Sequence, residues 1–111
     1  MCKDQFQIEK GFLSNCRKLK QFIIPSSVTS INNRAFTRCT SLTKILIPSS
    51  VTEIGDYAFF QCLSLKQISI PSSVTEIGDY AFSGCPFEQI TIPSSVTIIG
   101  KYAFNECCQL S

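Results

Sequence analysis

The chain is predicted to fold as an α/β solenoid, mainly β, of about five rungs, and three observations predict it. The segment IPSSVT occurs four times, placing Pro25, Pro48, Pro71 and Pro93 at steps of 23, 23 and 22 residues. A cysteine recurs at the same place in every copy: Cys16, Cys39, Cys62, Cys85 and Cys107. Between these markers the apolar positions repeat nearly unchanged while the polar ones differ. A period of this size is the signature of a coil whose turns stack, because one turn alone cannot bury its apolar face.

The full unit reads I-P-S-S-V-T-x-I-G-x-Y-A-F-x-x-C-x-S-L-x-x-I-x. Leu42-x-x-Ile45-x-Ile47 ends in strand-like alternation, Ile45 and Ile47 inward and Leu46 outward, and stacking such strands gives a parallel sheet. Proline follows each strand, at the corner where ladder pairing stops. Val51 and Ile54 point back inward. Gly55, Gly78 and Gly100 share their position with Asn32, which predicts a left-handed backbone there. Asp56-Tyr57-Ala58-Phe59 and its copies then read as a capped helical turn, the Asp or Asn accepting a backbone N–H and the Phe entering the core. Lys101 cannot cap, so the last copy is expected to be looser.

The first 24 residues fit the same register. Ile8 falls on Ile54, Phe12 on Ala58, Leu13 on Phe59, Cys16 on Cys62, Leu19 on Leu65, Phe22 on Ile68 and Ile24 on Ile70. The expected organisation is therefore a single domain, 1–111, with a worn rung at 2–24, rungs at 25–47, 48–70 and 71–92, and an incomplete one at 93–111. The unfinished rung at Leu110-Ser111 reads as a piece of a longer array.

With 44% hydrophobic residues, 111 residues suffice for one core. Proline interrupts each apolar stretch, which excludes a membrane-spanning helix. Met1 to Lys10 lacks the apolar run of a secretory signal. That, with the unpaired cysteines, favours the cytoplasm. A formal charge of +2 is too small to imply nucleic acid, but it is unevenly distributed. Residues 1–47 carry eight cations against Asp4 and Glu9, leaving +6, whereas residues 48–111 carry Lys66 and Lys101 against six carboxylates, leaving −4.

No catalytic apparatus can be assembled. Equivalent cysteines in adjacent rungs stand roughly 4.8 Å apart, all pointing the same way. That arrangement suits neither a disulfide between rungs nor tetrahedral zinc, so the row reads as buried packing. Cys2 and Cys108 are the expected exposed thiols. The Ser-Ser-Thr rows lack a base, since the chain has no histidine. They read as hydroxyls satisfying turn backbone groups, rather than as an ice-matching lattice. Glu53, Asp56, Glu76 and Asp79 recur with the repeat on its solvated side. No metal and no cofactor is implied, and an enzyme is the least favoured class.

Binding is expected on the outward positions of the sheet. Ile23 and Leu46 are neighbouring apolar side chains there, flanked by Lys20, Lys44 and Lys66, with Gln67 and Gln89 continuing the row. This is the makeup of a patch for an acidic or amphipathic protein partner. The tyrosine row, Tyr57, Tyr80 and Tyr102, reads as a cover over the Phe core. A second possibility is structural, since a basic first half, an acidic second half and open ends suit head-to-tail self-association.

The pattern L-x-x-I-x-I-P-S-S-V-T-x-I-G-x-Y-A-F-x-x-C resembles the BspA-like class of leucine-rich repeats over nearly the whole chain. The resemblance implies a right-handed coil with its sheet on the concave side. It also implies a non-enzymatic role in protein binding, adhesion or host and cell-surface recognition.

Overall fold

The computed structural model describes residues 13–107. Strands β1 (Gln21–Ile23) and β3 (Lys44–Leu46) pair in parallel, with Gln21 opposite Lys44, Phe22 opposite Ile45 and Ile23 opposite Leu46. The alternation behaves as expected: Ile45 is buried while Lys44 and Leu46 face out.

A second parallel sheet was not foreseen. It joins β2 (Ser30–Ile31), β4 (Glu53–Ile54), β5 (Glu76–Ile77) and β6 (Ile98–Ile99) in that order. Register is one rung per strand, Ile31 beside Ile54, Ile54 beside Ile77 and Ile77 beside Ile99. Two-residue strands carry too little alternation to be told from inward-pointing loop residues.

Between the sheets runs a column of rings. Phe36 and Phe59 stack at 5.2 Å between centroids, Phe59 and Phe82 at 5.3 Å, and Phe82 and Phe104 at 5.5 Å, all within 10° of parallel. The first three are fully buried with Ile31, Ile54, Ile77, Val51, Val74 and Leu65. Leu13 extends the column's hydrogen bonding into the worn rung: its N–H reaches Ala35 O as Phe36 N–H reaches Ala58 O and Phe59 N–H reaches Ala81 O. At the short step, buried Phe87 sets its ring edge-on to Phe82 at 5.6 Å. A larger side chain there offsets the missing residue.

The segment after each glycine is not the capped helical turn the sequence suggests, and no helix occurs among the described residues. Ala58 N–H donates to Gly55 O, Phe60 N–H to Tyr57 O and Cys62 N–H to Phe59 O, a chain of successive turns. Helical continuation is broken because positive φ recurs at Arg34, Tyr57, Tyr80 and Tyr102, and again at Asn15, Arg38, Gln61, Gly84 and Glu106. Each non-glycine position of this kind costs on the order of 1 kcal/mol locally, which the rung-to-rung bonds must offset. The left-handed residue therefore stands two places after the glycine, correcting the expectation at Asn32, Gly55, Gly78 and Gly100.

The glycines serve close approach instead. A Cβ on Gly78 would stand 2.6 Å from both Asp56 N and Gly55 C, and one on Gly55 would stand 2.8 Å from Asn33 N. The Asx side chains lie in the same seam and also act between rungs. Asn33 Oδ1 accepts from Asp56 N–H at 2.9 Å, Asp56 Oδ1 from Asp79 N–H at 2.8 Å, and Asp79 Oδ1 from Lys101 N–H at 2.8 Å. Lys101 receives support but offers no acceptor to a following rung.

The hydroxyl rows satisfy backbone groups, and they too do so across rungs. Ser50 Oγ donates to Val28 O, Ser73 Oγ to Val51 O and Ser95 Oγ to Val74 O. Thr52 Oγ1 donates to Thr29 O and Thr75 Oγ1 to Thr52 O. The invariance of the second Ser and of the Thr in IPSSVT thus has a structural cause.

Candidate functional site

The expected binding residues, Lys20, Ile23, Lys44, Leu46, Lys66, Gln67 and Gln89, are all exposed. They do not lie on one continuous sheet. Ladder pairing ends after β3: Glu88 N–H reaches Lys66 O at 3.4 Å, but no backbone bond joins 67–70 to 44–47 or to 89–92. The one-residue shortening at Pro86-Phe87 accounts for the loss on the later side; nothing in the spacing of 66–70 accounts for it on the earlier.

The candidate residues consequently divide into two hollows. The first, of about 340 Å³, is lined by Gln21, Phe22, Ile23, Lys44 and Leu46. Here β1 and β3 fix Ile23 directly beside Leu46, and the two are 70% and 47% exposed. Both residues belong to the outward set of the pleat, so no core contact competes for them. Lys20 lies at the same edge, its carbonyl accepting from Thr43 N–H at 2.8 Å and Thr43 Oγ1 at 3.1 Å. The second hollow, about 620 Å³, is lined by Gln67, Ser69, Glu88, Gln89 and Thr91 over a floor including Ile68, Ile70 and Ile90. Lys66 stands exposed between the two.

Two other surfaces were underrated by the sequence. Glu53 and Glu76 are direct cross-strand partners, and with Asp56, Asp79 and exposed Ile98 they line a shallow hollow of about 310 Å³ over the second sheet. On the turn side the tyrosines form a row, Tyr57 stacked on Tyr80 at 4.9 Å and Tyr102 tilted against Tyr80 at 5.3 Å. The Arg34 guanidinium lies 4.8 Å from the Tyr57 centroid, and that of Arg38 lies 5.6 Å from Phe60. A comparison of the repeats shows the substitution of Arg34 for tyrosine, but not that the side chain would stack.

The thiols at Cys39, Cys62, Cys85 and Cys107 are buried. Each donates to a carbonyl of the preceding rung, Leu13 O, Phe36 O, Phe59 O and Phe82 O in turn, at 3.1 to 3.3 Å. Burial, aided by the neighbouring Cys62, pushes the Cys39 thiol up to about 12, against the pull of the Cys16 backbone. Cys62 is raised further by the neighbouring Cys85 thiol and by burial. Cys39 and Cys62 are therefore protonated at neutral pH and are poor nucleophiles and metal ligands. Cys16, placed with this row by its spacing, is instead disulfide-bonded. The expectation of exposed thiols at Cys2 and Cys108 lies outside the described residues. No group of His, Cys, Asp and Glu among the described residues is arranged to hold a metal ion.

Against known proteins, residues 3–111 match the BspA type leucine-rich repeat region, in six copies. The chain is similar to the crystal structure of a leucine-rich repeat protein from Bacteroides ovatus, with 43% identity and a TM-score of 0.91, covering 95% of this chain and 27% of that one. It is likewise similar to a T. pallidum leucine-rich repeat protein, with 36% identity and a TM-score of 0.92, covering 95% of this chain and 50% of the other. A leucine-rich cell surface protein from Faecalibacterium prausnitzii shares 36% identity at a TM-score of 0.72, covering 96% and 35%. The chain thus spans half or less of the length of these proteins. No curated protein matches it.

Proposed function

The chain belongs to the BspA-type leucine-rich-repeat family, a family that commonly mediates protein interaction, and from that premise we propose that it is a non-enzymatic scaffold binding a protein partner through the outward face of β1 and β3. The observation that carries this reading is the pair Ile23 and Leu46, adjacent across the strands, both exposed, with Lys20 and Lys44 beside them. Two desolvable aliphatics within a basic rim fit an amphipathic segment that offers an apolar stripe and carboxylates. Lys66, Gln67 and Gln89 extend the surface with a charge and two amides, which fix orientation more than they add affinity.

Leu46→Glu tests it. The partner recovered by pull-down and identified by mass spectrometry should bind the variant roughly thirtyfold more weakly or worse, about 2 kcal/mol by calorimetry, as for a central interface anchor. The circular dichroism spectrum should be unchanged, because Leu46 makes no core contact. Undiminished capture would remove the patch from consideration.

A second reading is favoured by β6. Among the described residues it pairs only with β5, and Ile99 is 49% exposed where the equivalent Ile77 is 1% exposed. Such an edge, next to the acidic half of the chain, suits head-to-tail self-association with a basic first half. Sedimentation velocity should then show oligomers that grow with protein concentration and dissociate as salt is raised. A monomer under every condition would dispose of it.

For location, the cell surface has the better support of the two compartments considered. The F. prausnitzii protein is described as a cell surface protein, and a disulfide at Cys16 suits an oxidising environment better than the cytoplasm.

A further inference from the structure

The row of turns departs from its own repeat at one rung. Where the later copies carry Tyr57, Tyr80 and Tyr102, the second carries Arg34; where they carry Gln61 and Gly84, it carries Arg38. Both arginines are exposed and both are held at positive φ, 61° and 57°. The Arg34 guanidinium sits 4.8 Å from the Tyr57 centroid, and Tyr57 sits 4.9 Å from Tyr80. The arginine therefore takes a ring's place in the stack without altering the packing, and what it changes is the charge.

Stacking occupies the flat face of a guanidinium and leaves its N–H edges to solvent. Among the described residues neither arginine has a carboxylate partner. Arg17 and Lys18, exposed in the preceding rung, bring two more cations to the basic half. Two guanidiniums held against rings, 4.8 Å and 5.6 Å from the centroids, lose less freedom on binding than free side chains and present planar forks that match carboxylate oxygens.

We infer that Arg34 and Arg38 form an oxyanion-binding pair on the turn side of the solenoid, anchoring a short acidic polypeptide segment by its carboxylates. A long polyanion, nucleic acid or sulfated glycan, fits less well. Continuing along the same row of turns it would meet Asp56, Asp79 and Glu106, whereas a segment confined to the second rung meets only cations. This site is distinct from the patch on β1 and β3 and does not depend on it.

The test uses the whole chain and a fluorescein-labelled oligoglutamate peptide, followed by anisotropy at low salt. Arg34→Tyr with Arg38→Gln rewrites the second rung in the residues of the third, keeping the stack while removing both charges. Affinity for the peptide should fall at least about tenfold, with the melting temperature unchanged, while Leu46→Glu should bind the peptide as the parent does. Should the double variant melt early, Arg34→Lys with Arg38→Lys decides, since it keeps the charges and loses the forks; a several-fold loss is expected. Parental affinity in the folded charge-removing variant, or in the lysine pair, would overturn the assignment. So would tighter binding of a heparin fragment or single-stranded DNA that the same substitutions abolish.

Discussion

Phe59→Ala should lower the unfolding free energy by about 4 kcal/mol, the cost of a large buried ring replaced by a methyl group in a core that collapses only partly. Phe59 is fully buried and stacked on both sides, 5.2 Å from Phe36 and 5.3 Å from Phe82. Removing it leaves two neighbours without a face to pack on, at the middle of the column. In a stacked array each rung is stabilised chiefly by its neighbours, so a lesion at the centre uncouples the two ends where the same lesion at Phe104 would shorten one. A domain with the usual 5–15 kcal/mol of stability loses a large share of it. Phe59→Leu is the instructive comparison. Leu13 occupies this place in the first described rung, buried and with the same hydrogen bonds, so leucine is compatible with the backbone, and its cost should be roughly half that of alanine. Urea denaturation of the three proteins measures this. Equal loss from Leu and Ala would mean that ring stacking, rather than filled volume, holds the column.

The parts of this architecture legible in the sequence are those that repeat in residue type. The Phe column, the inward Ile positions, the proline corners and the register of the worn rung from Leu13 onward, Ile8 and Phe12 lying outside the described residues, follow from apolar spacing, because burial acts on side chains and side chains are what a sequence displays. Bonds made by backbone geometry were harder to read. Tyr57 and Tyr80 at positive φ break the preference of their residue type, so residue type points instead to the glycine two places earlier. The carboxylate of Asp56 has the sequence position of a local cap, because an Asx residue before a turn ordinarily acts within its own segment, whereas its observed donor is the Asp79 N–H of the next rung. The outward exposure of Ile23 and Leu46 came directly from strand alternation. The end of the ladder after β3 did not, since 66–70 has the same spacing as 43–47 and nothing in that spacing marks the loss of pairing between them. Arg34 was visible as a departure from the repeat, but its meaning waited on the ring beneath it.

The close approach of rungs at the repeat glycine supplies the second large effect. Gly78→Ala should cost about 3 kcal/mol, in the range of overpacking a site that cannot yield. An added Cβ would stand 2.6 Å from Asp56 N and 2.6 Å from Gly55 C, and against Asp56 Oδ1 as well. Two of these atoms are backbone, in a rung fixed by the pairing of β4 with β5 and by Gly78 N–H donating to Ile54 O at 2.8 Å. Relief requires the rungs to separate, which also stretches the 2.8 Å bond from Asp79 N–H to Asp56 Oδ1. Gly84→Ala separates this cause from glycine's torsional freedom. Gly84 has φ of +82°, so alanine there meets the left-handed penalty of about 1 kcal/mol. Yet its nearest would-be contact is a flexible Gln61 side-chain carbon at 3.1 Å, and Arg38 and Gln61 hold the same position in other rungs. If close approach is what the repeat glycine provides, thermal unfolding should rank Gly78→Ala well below Gly84→Ala. The reverse order would restore the left-handed turn as the reason for glycine at that place.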